Sequence, residues 1–386
     1  NFNVVVGDEA GTAITTGDTN VAVGYAALST EDTASRSTAV GYRALLTQNA
    51  GDVSTFNVAI GYEAGFGMTT GVENTLIGGA AGDALTDADY NVAIGRGALS
   101  DDTLGSQSVA IGYLALNVQN FTTATNSLNT AVGTKAGLNV TTGVQNTLIG
   151  AESGDALTTG NHNTAVGHNA LAVDTLGSKS VAVGNGTLGT QNFTTATNVY
   201  NVAIGYDAGL SVTTGTSNVL IGGLAGDALT DADFNIAIGK NSLGADTLGS
   251  ASVAIGHGAL LTQNFTTATT VYNVAVGHNA GKLITTGTQN TLIGGLTGDA
   301  LTTGALNVAV GYGALTSDDL GSKSVALGHS TLANQNYATA TDSFNTAVGH
   351  SAGSAVTTGI KNTLLGARTG IALTTGSENT VVGRDA

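Results

Sequence analysis

Proline, cysteine and tryptophan are absent from this 386-residue chain, which has a single methionine. Without proline, no backbone donor is lost from a hydrogen-bonded ladder, so long ladders are allowed. Without cysteine, neither disulfides nor thiolate metal sites can form. Long hydrophobic runs are also missing, since no stretch approaches the roughly 18 apolar residues of a membrane span. These absences exclude a disulfide scaffold, a thiol enzyme and a membrane-inserted segment.

Charge is scarce and mostly of one sign. Charged residues make up 10% of the chain, with 11 lysines and arginines against 27 aspartates and glutamates. The resulting net charge of −16 argues against binding nucleic acid, which requires basic residues clustered on one face. Much of the surface is therefore expected to consist of Thr, Ser, Asn, Ala and Gly.

What the chain has in abundance is one phrase, Asn/Ser-Val/Thr-Ala/Leu-Val/Ile-Gly, which recurs 22 times from end to end. Most motif glycines are 17 residues apart, and every fourth step is 21 residues, except for a step of 20 from Gly41 to Gly61. Three short steps and one long step give a 72-residue super-period. So short and continuous a period predicts an all-β, elongated parallel β-solenoid of 22 coils of 17 or 21 residues.

The repeat places residues 1–386 in a single β-solenoid. Its complete 72-residue super-repeats and the partial ones at either end are bounded as follows: 1–56 (partial), 57–128, 129–200, 201–272, 273–344 and 345–386 (partial). Solenoids usually end in atypical capping coils, and none is visible in the sequence. We therefore expect the chain to be the middle part of a longer protein.

Both faces of the motif strand are apolar. Because side chains alternate along a strand, Val58 and Ile60 lie on one side and Ala59 on the other. The position before the glycine is always Val, Ile or Leu, which predicts a core position. A strand that is apolar on both sides needs a cover outside its own coil, and we expect another copy of the same chain to provide it.

A second short strand is predicted further along each coil, with an aliphatic residue such as Leu157. A Thr-Thr-Gly turn follows, as at Thr158-Thr159-Gly160. The glycines of these turns, for example Gly143 and Gly160, are expected to have positive φ.

The phrase Ser180-Val181-Ala182-Val183-Gly184 resembles the head repeat of YadA-like trimeric autotransporter adhesins. The longer segment 158–171 resembles repeats of bacteriophage tail fibres. The adhesin resemblance implies a left-handed β-roll that associates with two further copies of itself as a homotrimer. The 17-residue coil and the regular four-coil super-period depart from the adhesin pattern and favour the tail fibre.

The expected function is therefore the structural shaft of an extracellular fibre on a virion. Such a shaft would position a tip, outside this chain, that binds a host cell-surface receptor or glycan. The alternative is the head of a bacterial surface adhesin that binds host matrix or cells. A weaker alternative is an ice-binding solenoid, suggested by the regular Thr-Thr pairs. No single Ser, His or Asp departs from the repeated columns as a catalytic group would, so we expect neither an enzyme nor a cofactor.

The long coils carry the candidate binding residues, which are aromatic and adjoin Thr and Asn. They could contact sugars, although packing is the favoured interpretation. They are Phe121, Phe193, Phe265 and Tyr337, together with Tyr200 and Tyr272 before the next motif.

Three other columns keep register along the repeat. The motif asparagines are expected to form a structural hydrogen-bonded ladder. Its representatives are Asn57, Asn129, Asn201, Asn273 and Asn345. Tyr and His share the slot after the glycine, which predicts ring stacking rather than a metal site. Acidic residues in register predict a solvated stripe, and they are Glu31, Asp102, Asp174, Asp246 and Asp318 in one coil type and Asp83, Asp155, Asp227 and Asp299 in the preceding one.

Overall fold

The computed structural model describes residues 2–386, and these residues form β-strands and turns without a helix. Their contacts group into two compact units, one ending at Val199 and the other running from Tyr200 to Ala386. Each unit contains 11 three-residue strands, and each of these strands is the centre of one repeat motif. Each unit also contains four two-residue strands.

The strands of the first unit are β1 (Val4–Val6), β2 (Val21–Val23), β3 (Thr38–Val40), β4 (Val58–Ile60), β5 (Thr75–Ile77), β6 (Val92–Ile94), β7 (Gly105–Ser106), β8 (Val109–Ile111), β9 (Thr125–Asn126), β10 (Thr130–Val132), β11 (Thr147–Ile149), β12 (Thr164–Val166), β13 (Gly177–Ser178), β14 (Val181–Val183) and β15 (Thr197–Asn198). Those of the second unit are β16 (Val202–Ile204), β17 (Val219–Ile221), β18 (Ile236–Ile238), β19 (Gly249–Ser250), β20 (Val253–Ile255), β21 (Thr269–Thr270), β22 (Val274–Val276), β23 (Thr291–Ile293), β24 (Val308–Val310), β25 (Gly321–Ser322), β26 (Val325–Leu327), β27 (Thr341–Asp342), β28 (Thr346–Val348), β29 (Thr363–Leu365) and β30 (Thr380–Val382).

Within each unit, every three-residue strand pairs in parallel with the equivalent strand of the neighbouring coil. The register matches each motif position with itself, so that Ala59 pairs with Leu76 and Ile60 with Ile77. The two-residue strands form separate parallel pairs beside the long steps, for example β7 with β9. The predicted all-β parallel β-solenoid of about 22 turns is confirmed.

The residue before the motif glycine is not in the core, so that part of the prediction is wrong. Apart from the first and last three-residue strands, the middle residue of each three-residue strand, such as Ala59 or Leu76, is fully buried, whereas Ile60 is 39% exposed. A three-residue strand directs only its middle side chain into the coil, and the two flanking side chains face outward. The core is completed by aliphatic residues beyond the glycine, such as Leu157.

Two further local expectations are wrong. A second strand forms only beside the long steps, because elsewhere that side of the coil consists of turns. Gly143 and Gly160 do not have positive φ. Gly143 is required for another reason, since a Cβ there would lie 2.5 Å from the carbonyl oxygen of Gly160 in the next coil. Left-handed backbone occurs at the motif glycines instead, for example Gly78 with φ +135°.

Candidate functional site

The motif asparagines form a buried column that ties successive coils together. Asn57 Oδ1 accepts a hydrogen bond from the backbone N–H of Asn74 at 2.9 Å, and Asn74 Oδ1 accepts one from Asn91 N at 2.9 Å. Asn57 Nδ2 also donates to the carbonyl oxygen of Gly71 at 2.7 Å. The amides thus bridge mainly to backbone groups of the next coil. Equivalent buried positions are Asn129, Asn201, Asn273 and Asn345.

Serine replaces asparagine in every fourth coil, and a buried glutamine from the following long step links that serine to the next asparagine of the column. Gln119 Nε2 donates to Ser108 Oγ at 2.9 Å and to Asp102 Oδ2 at 2.6 Å. Gln119 Oε1 accepts from Asn129 Nδ2 at 2.8 Å. A shorter side chain at 108 leaves room for the glutamine, which explains why Ser and the long step occur together.

The acidic residues of this coil type are buried, so the expected solvated stripe is wrong for them. The five buried acids are Glu31, Asp102, Asp174, Asp246 and Asp318. Asp102 Oδ1 accepts from the backbone N–H groups of Gly105 at 3.0 Å and Phe121 at 3.1 Å. The acids of the preceding coil type form a second column, which is half-buried. In that column, Asp83 Oδ1 accepts a hydrogen bond from Ser100 Oγ at 2.6 Å.

Burial shifts the titration of several of these groups. Desolvation raises the pKa of Asp102 and of Asp174 above the ordinary value, and donated hydrogen bonds oppose the shift only in part. Desolvation raises the pKa of Asp318 to about 6. The pKa of Tyr337 rises to about 12 because the ring is buried and because Asp318 is close. These side chains are fully partnered, because no buried side-chain nitrogen or oxygen within residues 2–386 lacks a hydrogen bond.

The candidate binding rings divide into two classes. Phe121 is 5% exposed, and its equivalents Phe193, Phe265 and Tyr337 are similarly buried. They fill the inside of the long coil and offer no face to a ligand. Tyr337 in addition donates from its hydroxyl to the carbonyl oxygen of Gly359 at 2.9 Å. Tyr200 and Tyr272 are exposed and accessible to solvent.

The predicted ring column after the motif glycine is confirmed. His257 and His278 stack with their centroids 5.4 Å apart, and His329 and His350 stack at 5.1 Å. Tyrosines stack in the same slot elsewhere. In the described part of the chain, no group of three or more His, Asp or Glu side chains is arranged to hold a metal ion.

Sequence reasoning missed the role of the glutamine. A constant spacing was the signal that could have revealed it. Asp102, Ser108 and Gln119 have equivalents at Asp246, Ser252 and Gln263, and there too the glutamine bonds to the acid, to the serine and to the next motif asparagine. Glutamine lies 17 residues after the acid and 11 after the serine in each case.

No model of a known protein family matches the chain, and a search of curated proteins finds no similar one. Residues 2–386 include no helix of the length and apolarity required to cross a bilayer.

Proposed function

We propose that this chain is the shaft of a homotrimeric, non-enzymatic surface fibre, outside the cell. A bacteriophage tail fibre that holds a receptor-binding tip fits best. The resemblance of the motif to tail-fibre and adhesin repeats supports this assignment, as does the absence of a concentrated catalytic site among the repeated columns of residues 2–386.

A continuous outward-facing aliphatic column carries the trimer proposal. The residue before each motif glycine is Val, Ile or Leu in every coil, and it is partly exposed in each unit. The most exposed members outside the terminal coils are Ile60, Ile149, Ile204, Ile293, Val348 and Leu365. Within each unit, adjacent members are about 4.8 Å apart, so the column forms a contiguous apolar patch of a kind that soluble monomers rarely leave bare.

A second copy is the occupant that matches this column best. A parallel copy presents the same side chain at the same height in every coil, and neither face carries charge at these positions. An unrelated partner would have to reproduce the same spacing over 11 coils of each unit. Three copies can each bury this column against the other two, which a closed assembly requires.

Sedimentation and native mass measurement test the proposal directly. We expect a species with three times the 37.8 kDa mass of the chain. The double substitution Ile94→Lys with Ile111→Lys places two charges in the column and should shift the species to monomer. Thr123→Lys, on the exposed turn of a long coil, is the matched control and should stay trimeric. A native chain that sediments as a stable monomer would overturn the trimeric shaft.

The adhesin-head alternative has one observation in its favour, which is the set of exposed aromatic side chains on the turns before the motif, such as Tyr90, Tyr200 and Tyr272. The ice-binding alternative has little support. Thr70 Oγ1 donates to Asp87 Oδ1 at 2.6 Å and Thr214 Oγ1 donates to Asp231 Oδ1 at 2.6 Å, so aspartates interrupt and engage the threonine array.

A further inference from the structure

A column of outward-facing residues with positive φ lies two positions before each three-residue strand. In the second unit, three successive members are Phe234, Ala251 and Tyr272, with φ between 57° and 61°. The backbone N–H of Ala251 donates to the carbonyl oxygen of Asp233 at 3.0 Å, which fixes the stacking of these coils. Phe234 is 63% exposed and Tyr272 is 59% exposed.

A pocket of about 450 Å³ opens at this place, between the two rings. Its lining residues are Asp233, Phe234, Ser250, Ala251, Thr270 and Tyr272. Phe234 and Tyr272 lie in the coils on either side of Ala251, so the two rings are the walls of the pocket, and three polar side chains complete its lining.

The pocket exists because the residue between the rings is alanine. The equivalent residue is Arg36, Gln107 or Lys179 in the three corresponding coils of the first unit and Lys323 in the next super-repeat. Lys323 Nζ lies 5.1 Å from the ring centroid of Phe344 and 2.6 Å from Asp342 Oδ2, so a long side chain occupies the corresponding space there. Ala251 has only a Cβ and leaves that space open.

The separation of the walls suits one inserted ring. Coils are about 4.8 Å apart, so rings two coils apart are separated by about 10 Å. A ring inserted midway lies about 5 Å from each wall, within the range favoured for stacked rings. This chain already stacks rings at similar separations in adjacent coils, as for Tyr25 and Tyr42 at 5.3 Å.

We propose that this slot binds a neutral pyranose ring stacked between Phe234 and Tyr272. A pyranose has apolar C–H faces for the two rings and hydroxyl groups around its edge for polar partners. This site goes beyond the proposed shaft function, because it adds a sugar-binding position to the side of the fibre.

The polar edge of the slot favours hydroxyl groups over anions. Asp233 Oδ1 accepts from Thr216 N at 2.6 Å and from Thr216 Oγ1 at 2.9 Å, which holds its carboxylate in place. Ser250 Oγ accepts from Asp233 N at 3.0 Å, which leaves its hydroxyl proton for another acceptor. Together with the net charge of −16, the carboxylate opposes phosphorylated and uronic ligands.

Saturation-transfer NMR on the full chain with glucose, galactose, mannose and N-acetylglucosamine tests the site. We expect saturation of the ring protons of at least one of the four sugars. Ala251→Lys copies the residue found at 323 and should weaken that binding at least tenfold by filling the slot. Phe234→Ala and Tyr272→Ala each remove one wall and should weaken it similarly.

The matched control is Gln289→Lys, which adds the same charge to the same column one coil beyond Tyr272 and outside the slot. It should bind the sugar as the native chain does. All four changes are on turns, at exposed or partly exposed positions, so circular dichroism and the unfolding temperature should stay at native values and separate lost binding from lost folding. Absence of saturation for all four sugars, or equal binding by Ala251→Lys, would overturn the proposal.

Discussion

The first long step of the chain and the four later ones build the same hydrogen-bonded network around acids of different length. We call the network at the first long step the first set and those at the later steps the later sets. In the earliest of the later sets, Asp102 accepts a hydrogen bond from the backbone N–H of Gly105, and Gln119 links the carboxylate to Ser108. In the first set, Glu31 Oε1 accepts from Ala34 N at 2.8 Å and Glu31 Oε2 accepts from Gln48 Nε2 at 3.1 Å. The acid, the glutamine and the serine are present in both sets.

The difference lies in how the remaining space is filled. A Cβ on Gly105 would meet Oδ2 of Asp102 first and would lie 2.8 Å from Cδ2 of Phe121, so glycine is required beside the aspartate and the ring. The first set has Ala34 at the glycine position and Ala50 at the ring position. Its acid is one methylene longer, and its step is one residue shorter. The polar network is therefore the fixed element, and the ring is an interchangeable filler.

Gln119→Leu should produce the largest effect, because it leaves the buried carboxylate of Asp102 and the hydroxyl of Ser108 without their shared donor. Removing one partner of a buried charge typically costs about 3–5 kcal/mol. Gln48→Leu should cost a similar amount in the first set, since its contacts are equivalent. Native-state hydrogen exchange at the Phe121 and Ala50 amides would measure both losses.

Asn120→Leu, at the exposed neighbour of the glutamine, is the control and should leave exchange within about 0.5 kcal/mol of the native value. A loss below about 1 kcal/mol for both glutamine variants would show that the network is not the fixed element.

The pH dependence of the free energy of unfolding should come from the buried aspartates of the four later long steps. Burial raises the pKa of Asp318 to about 6 from the ordinary 3.8. A carboxyl whose folded pKa is raised adds stability that is fully present below pH 3.8 and is lost as the pH rises through about 6. The second unit should thus gain up to about 3 kcal/mol at this site between pH 7 and pH 4. Chemical denaturation at a series of pH values would measure the change.

Asp318→Asn removes the titrating group and should flatten that part of the profile. Asp319→Asn, at the adjacent residue, is the control and should retain most of it, because the charge of Asp319 contributes less to the raised pKa than burial does. A profile for Asp318→Asn that coincides with the native one would assign the pH dependence elsewhere.

The sequence predicts the parallel solenoid and its period because each coil repeats one strand motif whose spacing permits only stacking. It does not predict which strand face is buried, since Val58, Ala59 and Ile60 are all apolar. The buried face is set by the strand length of three residues, which directs only the middle side chain into the coil. For Phe121 the sequence favours a packed ring over an exposed one, and the ring is 5% exposed. Charge normally favours solvent, so the sequence predicts surface positions for acids that the structure buries, and the glutamine that bonds to Asp102 is 17 residues away from it. Long-range pairing of this kind emerges only when the coils are stacked.

Gly105→Ala should have a smaller effect than loss of the glutamine, because the added Cβ crowds the Asp102 carboxylate and the Phe121 ring without removing a hydrogen-bond donor. Overpacking of this kind costs about 1–3 kcal/mol. The background Asp102→Glu should reduce that cost, because it replaces the carboxylate that the Cβ meets first, and addition of Phe121→Ala should reduce it further by copying the first set. Thermal unfolding of the single, double and triple variants would measure the coupling. Strictly additive effects would show that the side chains at 102, 105 and 121 do not compete for the same space.

The smallest effect is expected at the surface, where the first set and the last share a cation over a ring. Arg36 lies 5.2 Å from the ring centroid of Phe56 and donates to Ser54 Oγ at 3.0 Å, whereas Lys323 lies over Phe344 and pairs with Asp342. Lys323 and Asp342 are 36% and 51% exposed, so solvent screens the pair and Lys323→Ala should cost less than about 1 kcal/mol.

Salt distinguishes the two surface contacts. Raising the salt concentration to 1 M should remove most of the Lys323 contribution, because the Debye length falls to about 3 Å. The Arg36→Ala loss should change less with salt, because the hydrogen-bond partner of Arg36 is a neutral hydroxyl. Denaturation of both variants at low and high salt would measure the difference. Equal salt sensitivity at the two sites would mean that the carboxylate of Asp342 contributes nothing that the hydroxyl of Ser54 does not.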